Sequence, residues 1–198
     1  IIDNGFALAV INYHDVTADT PDICDGLSGM YDLEKYSWGK IGMWAFAASR
    51  VMDYLCTRAD VDKNRVSVSG WSRLGKTALW CAAQDERFSL AISNQSGCSG
   101  AALQRGKVGE NVADITSRFP FWFCKKYTEY FGNEDKMPFD QHYLLAANAT
   151  HRVYVGSGSY DAWACPKNEY LSAVAVSEYF ESVGKTGLIA PNRLPEIG

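Results

Sequence analysis

The stretch "SVSGWSRLGKTALW", residues 67–80, decides how the chain is read. Small and apolar residues in the pattern of a half-buried strand run into Gly70, pass Trp71 and Ser72, and meet Arg73, Leu74, Gly75 and Lys76 at the head of a helical pattern. Strand, glycine, one residue, serine and helix is the layout of a nucleophile elbow, a sharp turn that lifts a serine hydroxyl above the rim of a sheet. The usual pattern has a second glycine two residues after the serine, whereas here Leu74 holds that place and Gly75 follows. The competing reading is plainer: serine is a favoured helix N-cap, its hydroxyl accepting a hydrogen bond from the first turn. The two readings predict different fates for the Ser72 hydroxyl.

Outward from this stretch, residues 6–12 form a nearly continuous apolar run, as a strand buried on both faces requires. A polar loop with Asp15, Asp19, Pro21, Asp22, Asp25 and Gly26 follows. Ile41, Trp44, Ala45, Ala48, Val51, Met52 and Leu55 then recur at three- and four-residue steps, a helix of about four turns. The spacing predicts strand over 65–69, helix over 76–83, a third strand in "RFSLAISNQSG" (87–97), a fourth in "HRVYVGSGSYD" (151–161) and a closing helix over 167–180. Residues 96–150 carry no strand signal and read as an excursion with helices over 120–130 and 140–147. Strands separated by helices imply an α/β fold, a doubly wound and mostly parallel sheet with helices on both faces, in a single domain over 1–198.

Composition narrows the classes. The 198 residues are 47% hydrophobic and 13% aromatic, enough for one substantial core. A net charge of −4 without any basic run argues against nucleic acid and anionic membrane as main partners. No apolar stretch has membrane-spanning length, since Ser49, Arg50 and Asp53 interrupt the longest. The six cysteines are too dispersed for a zinc ribbon or redox pair, and read as buried thiols or one or two disulfides. Two sequons begin at Asn94 and Asn148. No ligand spacing calls for a metal or an organic cofactor. The chain opens at Ile1 and enters a strand pattern almost at once, which reads as a fragment, and no pattern speaks to oligomeric state.

Residues 38–102, with the string G-x-S-R-x-G-K at their centre, resemble the glucuronoyl esterases of carbohydrate esterase family fifteen, especially the bacterial members. The resemblance continues through "FPFWFCKKY", "MPFDQHYLLAA" and "YDAWACPKNEYL". It implies an α/β-hydrolase fold and a serine esterase that cleaves the ester between the glucuronate of xylan and lignin alcohols, without cofactor, in a secreted or periplasmic setting. By the same resemblance Ser72 is the nucleophile. Arg73 supplies its backbone N–H and guanidinium to the oxyanion, and Lys76 and Trp163 contact the uronate. A donor beside the serine at a helix start also gains from the helix dipole. Lys76 lies one turn beyond Ser72 on the same helical face, where spacing alone reads as a solvated or ion-paired lysine, and Trp163 alone reads equally as core.

A catalytic serine needs a base and an acid that orients it. The family places the acid after either of two strands. Gln95, which carries no charge, fills the first place, so Asp161 after the fourth strand is the expected acid, with Asp15 and Asp140 as poorer candidates. The three histidines, His14, His142 and His151, all precede Asp161, while the α/β-hydrolase order places the base after the acid. The expectation is a truncation at both ends, with the histidine loop beyond Gly198 and little activity in the 198 residues by themselves. Two alternatives remain: an acetyl-xylan or other carbohydrate esterase sharing the elbow, and a catalytically inactive carbohydrate-binding homologue, for which Gln95 and the absent base speak.

Overall fold

The computed structural model describes residues 1–31 and 37–188. Three parallel strands form its sheet in the order β1 (Ser67–Trp71), β2 (Leu90–Asn94), β3 (Arg152–Gly156), and Trp71, Asn94 and Gly156 stand side by side at their carboxyl ends. Parallel neighbours need crossovers. Helix α2 (Arg73–Gln84) makes the first, and the excursion with α3 (Val112–Arg118), several 3₁₀ turns and α4 (His142–Ala146) makes the second. Helix α1 (Lys40–Cys56) precedes the sheet and α5 (Pro166–Ser182) follows it.

The register sets the layers. Val68, Ala91 and Val153 share one face, and they pack with Ala45, Ala48 and Met52 of α1, Leu79 and Ala82 of α2, Leu145 of α4 and Val176 of α5. The period of the apolar residues in α1 thus meets a partner, α2, across the main core. Of the opposite parity, Ser67, Ser69, Arg152 and Tyr154 are exposed and Leu90 and Ile92 of the central strand half-buried, so among the described residues the helices pack on one face of the sheet. A second aromatic core of Ile41, Trp44, Cys98, Ile115 and Trp122 sits beside the carboxyl edge of the strands.

Several expectations shift. Residues 6–12 are not a strand: a strand exists only with a hydrogen-bonded neighbour, none of the three strands pairs with this segment, and Phe6, Leu8 and Val10 are exposed. The strand expected over 65–69 runs two residues later, because Lys63–Arg65 closes a 3₁₀ turn capped by Asp62. The helix expected over 120–130 is two 3₁₀ turns, Pro120–Trp122 and Lys125–Tyr130, broken at Phe123 and Cys124 in extended conformation. Helix α3 was not expected, although Asn111 and Asp114 form a reciprocal capping box at its start. All six cysteines are free, with Cys81, Cys98 and Cys165 buried. Asn148 is fully buried, its amide donating to the carbonyls of Leu79 and Leu144, which removes it as a glycan acceptor in the folded state. No helix among the described residues is long and apolar enough to cross a membrane. Part of the loop expected over 15–40, residues 32–36, and the last ten residues lie outside the described residues.

Candidate active site

The turn after β1 resolves the first question the sequence raised. Ser72 adopts φ 56° and ψ −121°, a left-sided conformation that costs a non-glycine residue about 1–3 kcal/mol. Its N–H donates to the carbonyl of Asn94 at 2.8 Å, which ties the turn to the end of β2. Although Ser72 is the residue before α2, its side chain makes no capping hydrogen bond. The N-cap reading therefore fails, and among the described residues the hydroxyl is left uncommitted at the carboxyl edge of the sheet.

Two glycines make the turn possible through close approach. A Cβ at Gly70 would stand 2.0 Å from the carbonyl oxygen of Leu74, so only glycine lets the first turn of α2 fold back on the strand. A Cβ at Gly75 would meet the Asn94 carbonyl and the Ser93 and Ser96 side chains at 3.1 Å. Gly75 thus provides the tight helix-to-strand packing that the unusual Leu74 position left in question.

The opening of α2 leaves the N–H groups of Arg73 and Leu74 without intrahelical acceptors, while Gly75 and Lys76 donate to the Ser72 carbonyl. The Arg73 side chain is one-third exposed. Its guanidinium lies 4.7 Å from the centre of the Trp122 ring and donates to the carboxylate of Asp19. Asp19 also accepts from the Trp122 indole N–H at 2.7 Å.

On the other side of β2, Gln95 adopts φ 46° and donates its backbone N–H to the Gly156 carbonyl. Its side-chain oxygen accepts from the Trp71 indole at 2.8 Å, and its amide nitrogen donates to Asp161 at 3.1 Å. Indole N–H is donor-only, which fixes the amide orientation. The second oxygen of Asp161 accepts from the N–H of Ala164 at 3.0 Å. Ser72 and Gln95 directly follow neighbouring strand ends, and Asp161 follows β3 on the same edge, held by Gln95.

Lys76 is buried, its ammonium donating to the carbonyl of Ser96 rather than standing in solvent. Burial lowers its pKa, against the opposing pull of Cys98, Glu110 and Glu169. Glu169, fully buried in the first turn of α5, joins the two acid-side loops: it accepts from the N–H of Gly97 at 2.8 Å and from the hydroxyl of Ser157. Desolvation raises its pKa. Trp163 is 43% exposed, with the Arg118 guanidinium 4.9 Å from the centre of its ring.

The histidines and the lesser acids occupy other places. His151 precedes β3, at the amino end of the sheet, and hydrogen-bonds the Asn148 side chain at 2.7 Å. His142 opens α4. His14 is exposed and accepts from the Asp19 N–H at 3.4 Å, the one histidine beside the Arg73 cluster. Asp140 is spent on the backbone N–H groups of Gln104, Arg105 and Gln141. Asp15 is exposed and accepts from Asn12. Sequence reading overlooked the roles of Asp19, Trp122 and Glu169, since each acts through partners distant in the chain, and only the acidic residue in the first turn of α5 carried any local signal.

A family model described as "Glucuronyl esterase, fungi" matches residues 1–184. The chain is 42% identical over 204 aligned residues to carbohydrate esterase MZ0003 from an unknown prokaryotic organism, covering 98% of this chain and 47% of that protein. It is 30% identical to 4-O-methyl-glucuronoyl methylesterase 1 of Sodiomyces alcalophilus, covering 92% of this chain and 39% of that one. The solved glucuronoyl esterase from Solibacter usitatus superposes with a TM-score of 0.87 at 40% identity, over 93% of this chain and 48% of that chain. The chain spans less than half the length of these relatives.

Proposed function

Because this chain belongs to the glucuronoyl esterase family and carries its α/β-hydrolase sheet edge, we propose that it forms the nucleophile- and acid-bearing part of a serine esterase that cleaves 4-O-methyl-glucuronoyl esters joining xylan to lignin alcohols. The observation that carries this reading is the strained, uncapped Ser72 at the strand-to-helix turn. Its oxygen attacks the ester carbonyl, and the serine proton passes to a base. The tetrahedral oxyanion accepts hydrogen bonds from the Arg73 N–H and guanidinium beside the positive end of α2. Collapse expels the alcohol, which takes the proton back, and water then hydrolyses the acyl-enzyme.

Asp161 is the acid in this reading, its carboxylate oriented by Gln95 and the Ala164 N–H. The base is a histidine, and none of the three in this chain follows Asp161. The chain spans less than half the length of its relatives, so activity is to be measured on the full-length polypeptide. Trp163 offers an exposed ring to the apolar face of the sugar. The assignment of Lys76 to the uronate hydroxyls requires the sugar to reach down past Ser72 to a buried ammonium. The carbohydrate polymer as substrate favours secretion.

Parallel assays of the full-length protein on a methyl 4-O-methyl-glucuronate ester and on acetylated xylan test the proposal. Cleavage of the uronate ester is expected. Release of acetate alone would replace this reading with that of an acetyl-xylan esterase, and inertness toward both would leave a binding homologue.

A further inference from the structure

We infer that Asp19 is the positioning residue for the Arg73 side chain, holding one edge of the guanidinium against the Trp122 ring so that its remaining N–H donors face the ester oxygen. The inference rests on the nucleophile reading of Ser72 given above and extends it to a loop 54 residues away.

The Asp19 side chain is 4% exposed, while that of Arg73 is 33% exposed, so the carboxylate is the buried member of the pair and the arginine side chain keeps access to solvent. Among the described residues, the hydrogen bonds of the carboxylate serve this arrangement. One oxygen accepts from the Trp122 indole at 2.7 Å, and the other accepts from Arg73 and from the Tyr13 hydroxyl at 3.4 Å. Desolvation, followed by the charge of Asp19, raises the pKa of Tyr13 and keeps that hydroxyl a donor. Trp122 does double duty: its N–H orients the carboxylate, and its ring lies 4.7 Å from the guanidinium carbon. A flat cation held on an aromatic face and along one edge keeps little rotational freedom.

The loop that carries Asp19 is itself anchored. Lys40, buried at the start of α1, donates to the carbonyls of Ala18 and Asp22 and to the Asp25 carboxylate, and the Trp44 indole donates to the Thr17 carbonyl at 3.0 Å. A surface ion pair would need none of this. An arginine without such a clamp would sample many rotamers, and misplacing a transition-state donor by about 1 Å costs on the order of a hundredfold in rate.

The test is a double-mutant cycle in the full-length protein on a methyl glucuronate ester. Asp19→Asn is expected to lower kcat about tenfold to a hundredfold with KM changed less than about threefold. Arg73→Ala lowers kcat at least as far, and adding Asp19→Asn to Arg73→Ala costs nothing further. Multiplying losses, or a fall confined to KM, would overturn the inference. Should Asp19→Asn fail to fold, guanidinium rescue serves instead: millimolar guanidinium restores part of the kcat of Arg73→Ala and does so far less for Arg73→Ala/Asp19→Glu, whose longer carboxylate displaces the docking edge. Equal rescue of both would equally overturn it. Failure of the esterase reading is distinguishable, because it appears as absent turnover of the uronate ester in the wild-type protein or as undiminished turnover in Ser72→Ala, whatever Asp19 does.

Discussion

The turns that follow β1 and β2 begin alike and end differently. Each places a non-glycine residue at positive φ directly after its strand, Ser72 at 56° and Gln95 at 46°, and each ties its backbone N–H to the end of the next strand. After β1 the chain enters a helix and leaves the Ser72 hydroxyl uncommitted. After β2 the Gln95 amide is committed at both ends, to Trp71 and to Asp161. The same backbone strain thus accompanies an uncapped hydroxyl in one turn and a side chain that fixes a neighbour's carboxylate in the other.

The comparison breaks most visibly in activity. Ser72→Ala in the full-length protein should reduce hydrolysis of a methyl glucuronate ester by at least about a thousandfold, whereas Gln95→Ala should cost about tenfold, since Asp161 keeps its bond to Ala164. Comparable losses in initial-rate assays would erase the distinction between presenter and positioner. Next in size is the pair of glycines. Gly70→Ala sets a methyl 2.0 Å from the Leu74 carbonyl, a backbone atom that cannot step aside, and should destabilise by about 3 kcal/mol in denaturant melts. At Gly158 the added methyl meets the Gln95 amide nitrogen at 2.6 Å, the far end of a flexible side chain. Gly158→Ala should leave the midpoint within about 1 kcal/mol and impair turnover instead.

A subtler contrast concerns the strain itself. Ser72→Gly removes an unfavourable φ and no cap, so it should raise stability by about 1 kcal/mol while abolishing activity. Gln95→Gly removes similar strain together with two hydrogen bonds of about 1 kcal/mol each, and should be neutral or destabilising in the same melt.

How much of this was legible in the sequence follows from the range of each interaction. The elbow and the three strands were visible because they are local: small and apolar runs of the right length, closed by glycine and polar residues. Residues 6–12 misled because an apolar run states an ability to pair and says nothing of a partner. The excursion misled for a related reason, since aromatic packing around Phe119, Phe121 and Trp122 is satisfied by 3₁₀ turns as well as by a helix. In the candidate site, Ser72 could be named from the strand-to-helix turn and Asp161 from the family resemblance, which places an acid after that strand. Asp19 could not, because nothing within its own loop marks it and its partners Arg73 and Trp122 lie 54 and 103 residues away.

The smallest expected effect is a pH dependence of the loop that carries Asp19. Burial works to raise the pKa of Asp25, but the Ala18 N–H, the Lys40 ammonium and the Thr17 and Ser28 hydroxyls together overrule it and hold the carboxyl below the usual carboxylate range. The unfolded chain takes up this proton near pH 4 and the folded chain only at lower pH. The stabilisation is therefore complete above about pH 4 and lost as pH falls further. Thermal melts should show wild type above Asp25→Asn at pH 7, with the gap closing below pH 4. A gap that widens on acidification would contradict the assignment.

The central claim is that Ser72 is the nucleophile, and covalent labelling addresses it most directly. The full-length protein is treated with a fluorophosphonate, digested, and its modified peptide located by mass spectrometry. The account predicts one adduct, on Ser72, formed in step with loss of esterase activity and absent from Ser72→Ala. An adduct on another serine, or full inactivation with Ser72 unmodified, would contradict it.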